Sequence, residues 1–209
     1  MFENRKDAGN KLAIELEKYR NENPLILAIP RGGAEIGYRV ALFLDAEFSI
    51  IVVRKLPFPD NPEAGFGAIA EDGSIFIFKR AEYWLEAEDI YRVEKEQIEE
   101  IERRMQVLRG GKPLPDIEGR TVILTDDGIA MGSTMRAAIM LCRKRNAGKV
   151  VVASPVAGKE VSMQLEEIAD DVVILEIPLE FRAVADSYES WYNVSDEEVL
   201  EIMRQMTVQ

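Results

Sequence analysis

Two adjacent carboxylates, Asp126 and Asp127, follow a short apolar run and precede a loop with two glycines. A carboxylate pair accepts several hydrogen bonds at once, which suits a vicinal diol or a hydrated divalent cation. The loop, residues 128–134, can turn tightly and leads into a predicted helix, whose first N–H groups favour a phosphate. A diol next to a phosphate is what a ribose 5-phosphate group offers, so this segment predicts a site for such a group.

Each residue of this segment also has a plain structural interpretation. Ser133 or Thr134 could cap the helix, and the two acids could be solvated groups at the end of a strand. The ordered combination after an apolar strand favours the ligand site. A phosphoacceptor receiver domain also ends a strand in two acids, but its pair follows the first strand, whereas this pair follows the fourth predicted strand.

A second candidate anion site is the segment 30–33, which directly follows the first predicted strand. Arg31 can make forked contacts with phosphate oxygens, while Gly32 and Gly33 allow the backbone to approach an anion closely. A tight turn that binds nothing is the alternative interpretation of the same residues.

A third candidate is Arg54 with Lys55, two cations at the end of the second predicted strand, 48–53. Their alternative is simple exposure to solvent. The segment 54–73 contains three prolines and three glycines and is predicted to be a long loop. Loops of this length without a function are uncommon, and this one suits a hinged lid that closes over a site and excludes water.

The elements that must position these groups alternate between strand and helix. Near-continuous runs of Val, Ile and Leu between helices predict an α/β fold: a doubly wound, mainly parallel sheet covered by helices on both faces. In such a fold, ligands bind beyond the carboxyl ends of the strands, where the three candidate segments lie. The predicted strands are 25–29, 48–53, 74–78, 122–125, 150–153 and 172–176. The predicted helices cover the opening residues around Leu12, the segment around Ile36, then 86–108, 133–145, and a last helix that begins at Ser195.

Composition excludes several classes of function. The chain of 209 residues has one cysteine and no histidine, which excludes Ser-His-Asp and Cys-His catalysis and metal sites built on those residues. The single thiol, Cys142, lies on an apolar helix face and is predicted to be an inert buried group. A net charge of −12 argues against a broad nucleic-acid surface. With no long apolar run and no signal-peptide pattern, a cytoplasmic protein without membrane contact is expected.

The segment 122–134 resembles the PRPP-binding motif of the type I phosphoribosyltransferases, in which an apolar strand, two acids, a short loop, Gly, Ser or Thr, and Thr follow one another. The segments 53–56 and 67–73 extend the likeness to a poorly characterised microbial subgroup. Two positions depart from the usual pattern. Members that use 6-oxopurines have an Asp at the place of Ala130, whereas adenine-using members have an alanine there, as this chain does. Met131 stands where Thr is usual.

The resemblance implies roles for individual residues. Asp126 and Asp127 would bind the ribose hydroxyls of PRPP and reach Mg²⁺ only indirectly, through PRPP or water. The ribose and 5-phosphate would be bound by Asp126, Asp127, Gly128, Ile129, Ala130, Met131, Gly132, Ser133 and Thr134. Pyrophosphate would be bound by Arg31, Gly32, Gly33, Arg54 and Lys55. Arg31 and Lys55, together with the two acids, would be the catalytic groups, and the Pro30–Arg31 peptide would be cis.

The resemblance also divides the chain into regions. Residues 1–209 are expected to form one domain with a core at about 25–156, a flexible loop at 54–73, a helical insertion at about 80–110 and a hood at about 177–194. The hood recognises the nucleobase in this family. Phe181 is the candidate that stacks on the base, and Asp186 is a candidate acceptor for a base N–H.

The implied activity is a pentosyl transfer in nucleotide metabolism, from PRPP to a nitrogenous base, such as a purine, with release of pyrophosphate and with Mg²⁺ as cofactor. The partners would be PRPP and a nucleobase, and a homodimer is compatible with the sequence. The alternative function is a regulatory protein of the same fold that senses PRPP or a nucleotide without catalysis, because no carboxylate stands at position 130.

Overall fold

The structure, a computed structural model, describes residues 1–207, apart from the side chains of Glu82 and Thr207, and is built around a five-stranded parallel sheet. In chain order the strands are β1 (Leu25–Ala28), β2 (Glu47–Ile50), β3 (Val53–Phe58), β4 (Asn61–Ala70), β5 (Ile75–Ile77), β6 (Thr121–Thr125), β7 (Lys149–Val156) and β8 (Asp171–Glu176). The α-helices are α1 (Arg5–Glu15), α2 (Gly33–Leu44), α3 (Ala87–Arg109), α4 (Ser133–Lys144), α5 (Lys159–Glu166) and α6 (Asp196–Thr207). The parallel sheet has the order β2-β1-β6-β7-β8.

Both faces of this sheet are covered, which confirms the predicted fold class. Successive side chains of a strand point to opposite faces. On β1, Ile26 and Ala28 pack into a core with α1, α2 and α6, while Leu25 and Leu27 pack into a second core with α4. Burial on both sides explains why these strands consist of continuous apolar runs.

The strand order places a crevice between β1 and β6. The helix after β1, α2, belongs to the core on one face, and the helix after β6, α4, belongs to the core on the other. The two chain segments therefore separate as they leave the sheet, which opens a gap at the carboxyl ends of these neighbouring strands. Ligands bind at such a switch point in open α/β sheets.

Residues 54–73, which the sequence predicts to be an irregular loop, instead form most of a β-hairpin. Strands β3 and β4 pair antiparallel, and β5 adds to them, so that the predicted strand 74–78 belongs to this small sheet rather than to the parallel one. Pro57 lies where the register shifts, Pro59 lies in the turn, and Pro62 lies near the start of β4. Prolines are tolerated at such places, and their presence therefore did not exclude strands.

A buried ion pair joins this small sheet to α3 and to the edge of the parallel sheet. Arg109, at the end of α3, donates from Nη2 to Glu71 Oε1 at 2.7 Å and from Nη1 to Glu71 Oε2 at 2.9 Å. The same Nη1 donates to the carbonyl of Ile50, and Glu71 also accepts from the N–H of Val52. Both side chains are nearly inaccessible to solvent, so neither charge has water as a substitute partner.

Several apolar side chains lie elsewhere than the sequence predicts. Large aromatic side chains are usually buried, which predicts core positions for Tyr83 and Trp84, but these residues are 87% and 78% exposed. The spacing of Ile98, Ile101, Met105 and Leu108 predicts an apolar stripe on α3. Of these, Ile101 and Leu108 are buried, Met105 is partly buried and Ile98 is 41% exposed.

The remaining helices follow the expected local signals. Ser195 and Glu198 have the three-residue spacing that predicts a capping box. At the start of α6, the N–H of Ser195 donates to Glu198 and the N–H of Glu198 donates to the Ser195 hydroxyl, which confirms it. Burial raises the pKa of Cys142 to about 12, so this thiol is inert as expected. Helix α5 was not predicted. Within residues 1–207, no helix is both long and apolar enough to cross a membrane.

The Glu71–Arg109 pair generates a prediction about stability. Replacing Glu71 by Ala leaves the Arg109 charge buried without its partner, and we expect the free energy of unfolding to fall by about 3–5 kcal/mol. Urea denaturation measures this. Glu63→Ala, at an exposed position of the same hairpin, is the matched control and should change stability little; equal losses in both variants would contradict the assignment.

Candidate active site

The loops after β1 and β6 touch at the crevice. A Cβ atom built on Gly32 would lie 1.8 Å from Oδ2 of Asp127, and one built on Gly33 would lie 2.7 Å from the carbonyl oxygen of Thr125. A side chain at position 32 would displace the Asp127 carboxylate, and one at position 33 would displace the backbone of the second loop. The peptide between Pro30 and Arg31 is cis, as expected. The structure therefore brings two of the three sequence-predicted segments into direct contact.

The two carboxylates at the end of β6 are unequal. Asp126 accepts a hydrogen bond from the backbone N–H of Asp127 at 2.9 Å through its Oδ1. Burial, and then the negative charge of Asp127, raise the pKa of Asp126 well above its usual value. This follows because a second negative charge in a poorly hydrated place is costly.

Asp127 is paired with an arginine that the sequence analysis did not single out. Arg5, on α1, donates from Nε to Asp127 Oδ2 at 2.8 Å and from Nη1 to the backbone carbonyl of Tyr192 at 2.9 Å. Its guanidinium carbon lies 3.9 Å from the centroid of the Trp191 ring. Arg5 is 6% exposed, so its charge is offset by Asp127 and by the aromatic face rather than by water.

A tyrosine fixes the backbone of the same acid. The hydroxyl of Tyr188 donates to the carbonyl oxygen of Asp127 at 2.6 Å. Burial, and then the charge of Asp127, raise the pKa of Tyr188, which keeps this phenol protonated and able to donate. The Tyr188 ring in turn contacts the rings of Phe2 and Trp191. Side chains from the first and last fifths of the chain thus hold the acid pair in place.

The predicted phosphate loop turns into α4 as expected. Gly132 has a positive φ of 73°, and α4 begins at Ser133. No side chain of residues 1–207 caps this helix, so neither Ser133 nor Thr134 has the capping role that was the alternative interpretation. The first N–H groups of α4 are therefore available to an anion. Ala130 and Met131 are exposed at the tip of the loop.

The predicted pyrophosphate cations lie in two environments. Arg31 is 41% exposed and forms a loose ion pair with Asp196, with Nη1 3.6 Å from Oδ1. Arg54 and Lys55 lie inside β3, not at the end of the second strand of the parallel sheet as predicted, because β2 already ends at Ile50.

The bonds of these two residues tie them to neighbouring elements. Arg54 Nε donates to Gln97 on α3, and Lys55 Nζ donates to the carbonyl of Glu63 across the hairpin. Burial lowers the pKa of Arg54, and the charges of other arginines, including Arg104 and Arg31, contribute. Arg54 is therefore part of a concentration of positive charge that includes Arg31, whereas Lys55 is held along the hairpin.

The hood segment, 177–194, packs over the acid-bearing loop. Val184 covers Gly128 so closely that a Cβ on Gly128 would lie 2.3 Å from Val184 Cγ1. Phe181 is half-buried and stands above Gly158, whose added Cβ would meet the Phe181 ring at 3.6 Å. Asp186 is exposed within the 3₁₀ turn Val184–Ser187. Phe181 thus borders the loop after β7, while Asp186 faces solvent.

The acid pair does not form a metal site on its own. Within residues 1–207, no group of three or more Asp, Glu, His or Cys side chains is placed to hold a metal ion. Asp127 Oδ2 is engaged by Arg5, and Asp126 Oδ1 is engaged by a backbone N–H.

Comparisons with known proteins agree with this geometry. Residues 2–190 match the family described as the phosphoribosyl transferase domain. Two proteins of Mycobacterium tuberculosis strains, both named "Putative phosphoribosyl transferase", are 37% identical over 203 residues. The match covers 96% of this chain and 46% of theirs, so the chain spans about half the length of the curated relatives it matches.

Solved structures share the fold. The protein TT1426 from Thermus thermophilus has a TM-score of 0.83 and 34% identity, over 99% of both chains. The protein AQ2163 from Aquifex aeolicus has a TM-score of 0.52 and 14% identity, over 83% of this chain and 74% of that chain, which is a likeness of fold alone.

The close approach of Gly32 generates the first prediction for the site. Gly32→Ala forces the Asp127 carboxylate to move, and we expect a loss of about 1–3 kcal/mol in the free energy of unfolding, as for other overpacked positions. The backbone of Gly32 has a φ of −60°, which Ala adopts freely, so the effect isolates the contact. Gly158→Ala, where the added Cβ makes an ordinary contact, is the control; a stable Gly32→Ala protein would refute the packing.

The Arg5–Asp127 pair generates a second prediction, tested by a double-mutant cycle. Arg5→Gln and Asp127→Asn each leave one charge unpaired in a poorly hydrated place, and each should destabilise the protein by about 3 kcal/mol. The double variant leaves no lone charge, so its loss should be smaller than the sum of the two single losses. Urea unfolding of the four proteins measures this, and strictly additive losses would show that the two residues act independently.

Proposed function

The chain belongs to the phosphoribosyl transferase domain family, and we propose that it transfers the 5-phosphoribosyl group of PRPP to a nitrogen of a nucleobase, with release of pyrophosphate. The observation that carries this proposal is the contact between Gly32 and Asp127, which joins a candidate pyrophosphate loop to a candidate diol-binding acid in one crevice.

The proposed substrate fits the order of groups along the crevice. Asp127 Oδ1 and Asp126 Oδ2 remain to accept hydrogen bonds from the ribose 2- and 3-hydroxyls, because the other oxygen of each carboxylate is already bonded. The N–H groups at the start of α4 and in the loop 128–134 receive the 5-phosphate. Arg31 and the N–H group of Gly32 receive pyrophosphate on the β1 side, with Arg54 nearby. The N–H of Gly33 already donates to the carbonyl of Ile29, so Gly33 contributes a close approach of the backbone rather than a donor.

The reaction breaks the bond between C1 of the ribose and a pyrophosphate oxygen and forms a bond between C1 and the acceptor nitrogen. The electron pair of the broken bond leaves with pyrophosphate, and the proton of the acceptor N–H is released. Positive charge develops on the ribose ring, which the negative charge of the acid pair stabilises, while Arg31 and the loop N–H groups stabilise the leaving group. Mg²⁺, when it is carried by PRPP, offsets part of the pyrophosphate charge.

Positioning is the main contribution of the chain in this proposal. Position 130, at the tip of the phosphate loop, is an alanine, so no side-chain base reaches the acceptor from there. Arg5 and Tyr188 hold the acid pair from behind, and Val184 fixes the loop from above. A preformed site of this kind lowers the barrier by orienting the reacting atoms. Phe181, beside Gly158, is the candidate that stacks on the base, and Asp186 is the weaker candidate for contact with a base N–H.

Pyrophosphate release tests the proposal. With Mg-PRPP and a panel of purine and pyrimidine bases, we expect release of pyrophosphate that depends on one base or a small group of bases.

Asp127→Asn should lower the affinity for Mg-PRPP, measured by calorimetry, since it removes negative charge from the diol site. Asp116→Asn, an exposed acid just before β6 at the opposite end of that strand, is the matched control.

Two other outcomes discriminate between functions. Binding of Mg-PRPP without turnover of any base would favour the regulatory alternative, in which the chain senses PRPP or a nucleotide. Unchanged Mg-PRPP binding by Asp127→Asn would overturn the assignment of the diol site itself.

A further inference from the structure

A cavity of about 530 Å³ lies beside the crevice but outside it. Its walls are the hairpin, the segment that follows β5, and α5, and it meets the phosphate loop only at Met131. None of the candidate acids, arginines or loop glycines of the site described above lines it. The volume lies within the range of sites that bind small molecules.

The lining of this cavity is aromatic. Phe58 and Phe66 lie edge to face with ring centroids 5.6 Å apart, and Phe78 and Trp84 complete the aromatic surface. Trp84 is 78% exposed and Met131 is 63% exposed. Exposed apolar groups that cluster around a concave surface mark a place where a ligand or a partner binds.

Two adjacent cations, Lys79 and Arg80, line the cavity. Among the side chains that the structure describes, which leave out that of Glu82, theirs form no ion pair or hydrogen bond, whereas most arginines of this acidic chain are paired with carboxylates. A net charge of −12 makes two unpaired neighbouring cations a local exception. An anionic ligand complements them.

The opposite wall offers a hydrogen-bonding edge. Glu160 and Gln164 lie one turn apart on α5, and Gln164 Nε2 donates to one oxygen of Glu160, at 3.2 Å. The second Glu160 oxygen is left to accept a bond from an amino group. Behind them, Arg136 donates to Gln164 and stacks over Phe76, and its buried Nε has no partner among the described residues.

We propose that this cavity binds a nucleoside monophosphate whose base carries an amino group. The base stacks on Trp84 and Phe58, its amino group donates to Glu160, and the phosphate contacts Lys79 and Arg80. Aromatic faces, an acceptor edge and two cations are the three features that such a ligand requires together. The proposal concerns a second site and does not depend on transferase activity.

The test is calorimetric titration of the whole chain with AMP and with GMP, beside adenosine and inorganic phosphate as the two halves of the ligand. We expect AMP or GMP to bind and each half to bind far more weakly. Trp84→Ala should weaken binding at least about tenfold, in line with the strength of base stacking on aromatic side chains. The double variant Lys79→Ala/Arg80→Ala should weaken it and reduce its dependence on salt.

Matched controls separate this site from the crevice. Tyr91→Ala, an exposed aromatic on α3 outside the cavity, and Lys112→Ala, an exposed cation elsewhere, should bind nucleotide as the parent does. A nucleoside monophosphate also carries the ribose diol and 5-phosphate that the crevice is proposed to bind, so Asp127→Asn serves to weaken binding in the crevice. The binding that Trp84→Ala removes should persist in Asp127→Asn, and Trp84→Ala should leave Mg-PRPP binding unchanged. A failure of Mg-PRPP to bind the parent chain would therefore count only against the proposed transferase.

Four results would overturn the proposal. The first is that neither AMP nor GMP binds, and the second is that adenosine or phosphate alone binds as tightly as the nucleotide. The third is that Trp84→Ala binds nucleotide like the parent. The fourth is that Asp127→Asn abolishes all nucleotide binding, which would place the nucleotide in the crevice. Sedimentation supplies one more: a dimer that Trp84→Ala dissociates, without nucleotide binding, would identify the cavity wall as a contact between copies of this chain.

Discussion

The contact between Gly32 and the Asp127 carboxylate sets the distance between the two loops of the candidate site. Strands β1 and β6 are paired up to Ala28 and Thr125, and the N–H of Ile29 donates to the carbonyl of Thr125, so the two loops leave the sheet side by side. Only a residue without a side chain allows the carboxylate to lie where it does. The absence of a side chain at Gly32 therefore determines how closely the Asp127 carboxylate approaches the loop after β1.

Charge compensation at this contact comes from far along the chain. Arg5 pairs with Asp127 and lies on Trp191, and Tyr188 fixes the Asp127 backbone. Without this compensation, the two adjacent carboxylates at the end of β6 would repel each other in a place with little water. Arg5 offsets the charge of Asp127, while burial and the charge of Asp127 raise the pKa of Asp126, so the two carboxyl groups are held in different electrostatic states.

Features with a local signal could be predicted from the sequence, and features that depend on distant residues could not. The parallel strands, the loop 128–134, the cis peptide expected from the family resemblance and the capping box at Ser195 all depend on adjacent residues. Arg5 and Asp127 are separated by 122 positions and Tyr188 and Asp127 by 61, and no spacing pattern relates them.

Two misplaced segments have equally physical reasons. Prolines in the segment 54–73 suggested a loop because a proline interrupts a strand that is paired on both sides, but these prolines lie at a register shift, in a turn and near a strand start. Trp84 was expected in the core because large aromatics are usually buried. Its exposure beside a cavity is the kind of exception that indicates binding rather than folding.

The Glu71–Arg109 pair has a dynamic consequence for the hairpin. It anchors the base of β3 and β4 to α3 and to the end of β2, so bending cannot start there without separating two buried charges. The outer part, around the turn at 59–60, has no such anchor and is exposed. The rate of amide hydrogen exchange should therefore fall along the hairpin, from the fastest exchange at its turn to the slowest near Val52, because local opening begins at the turn.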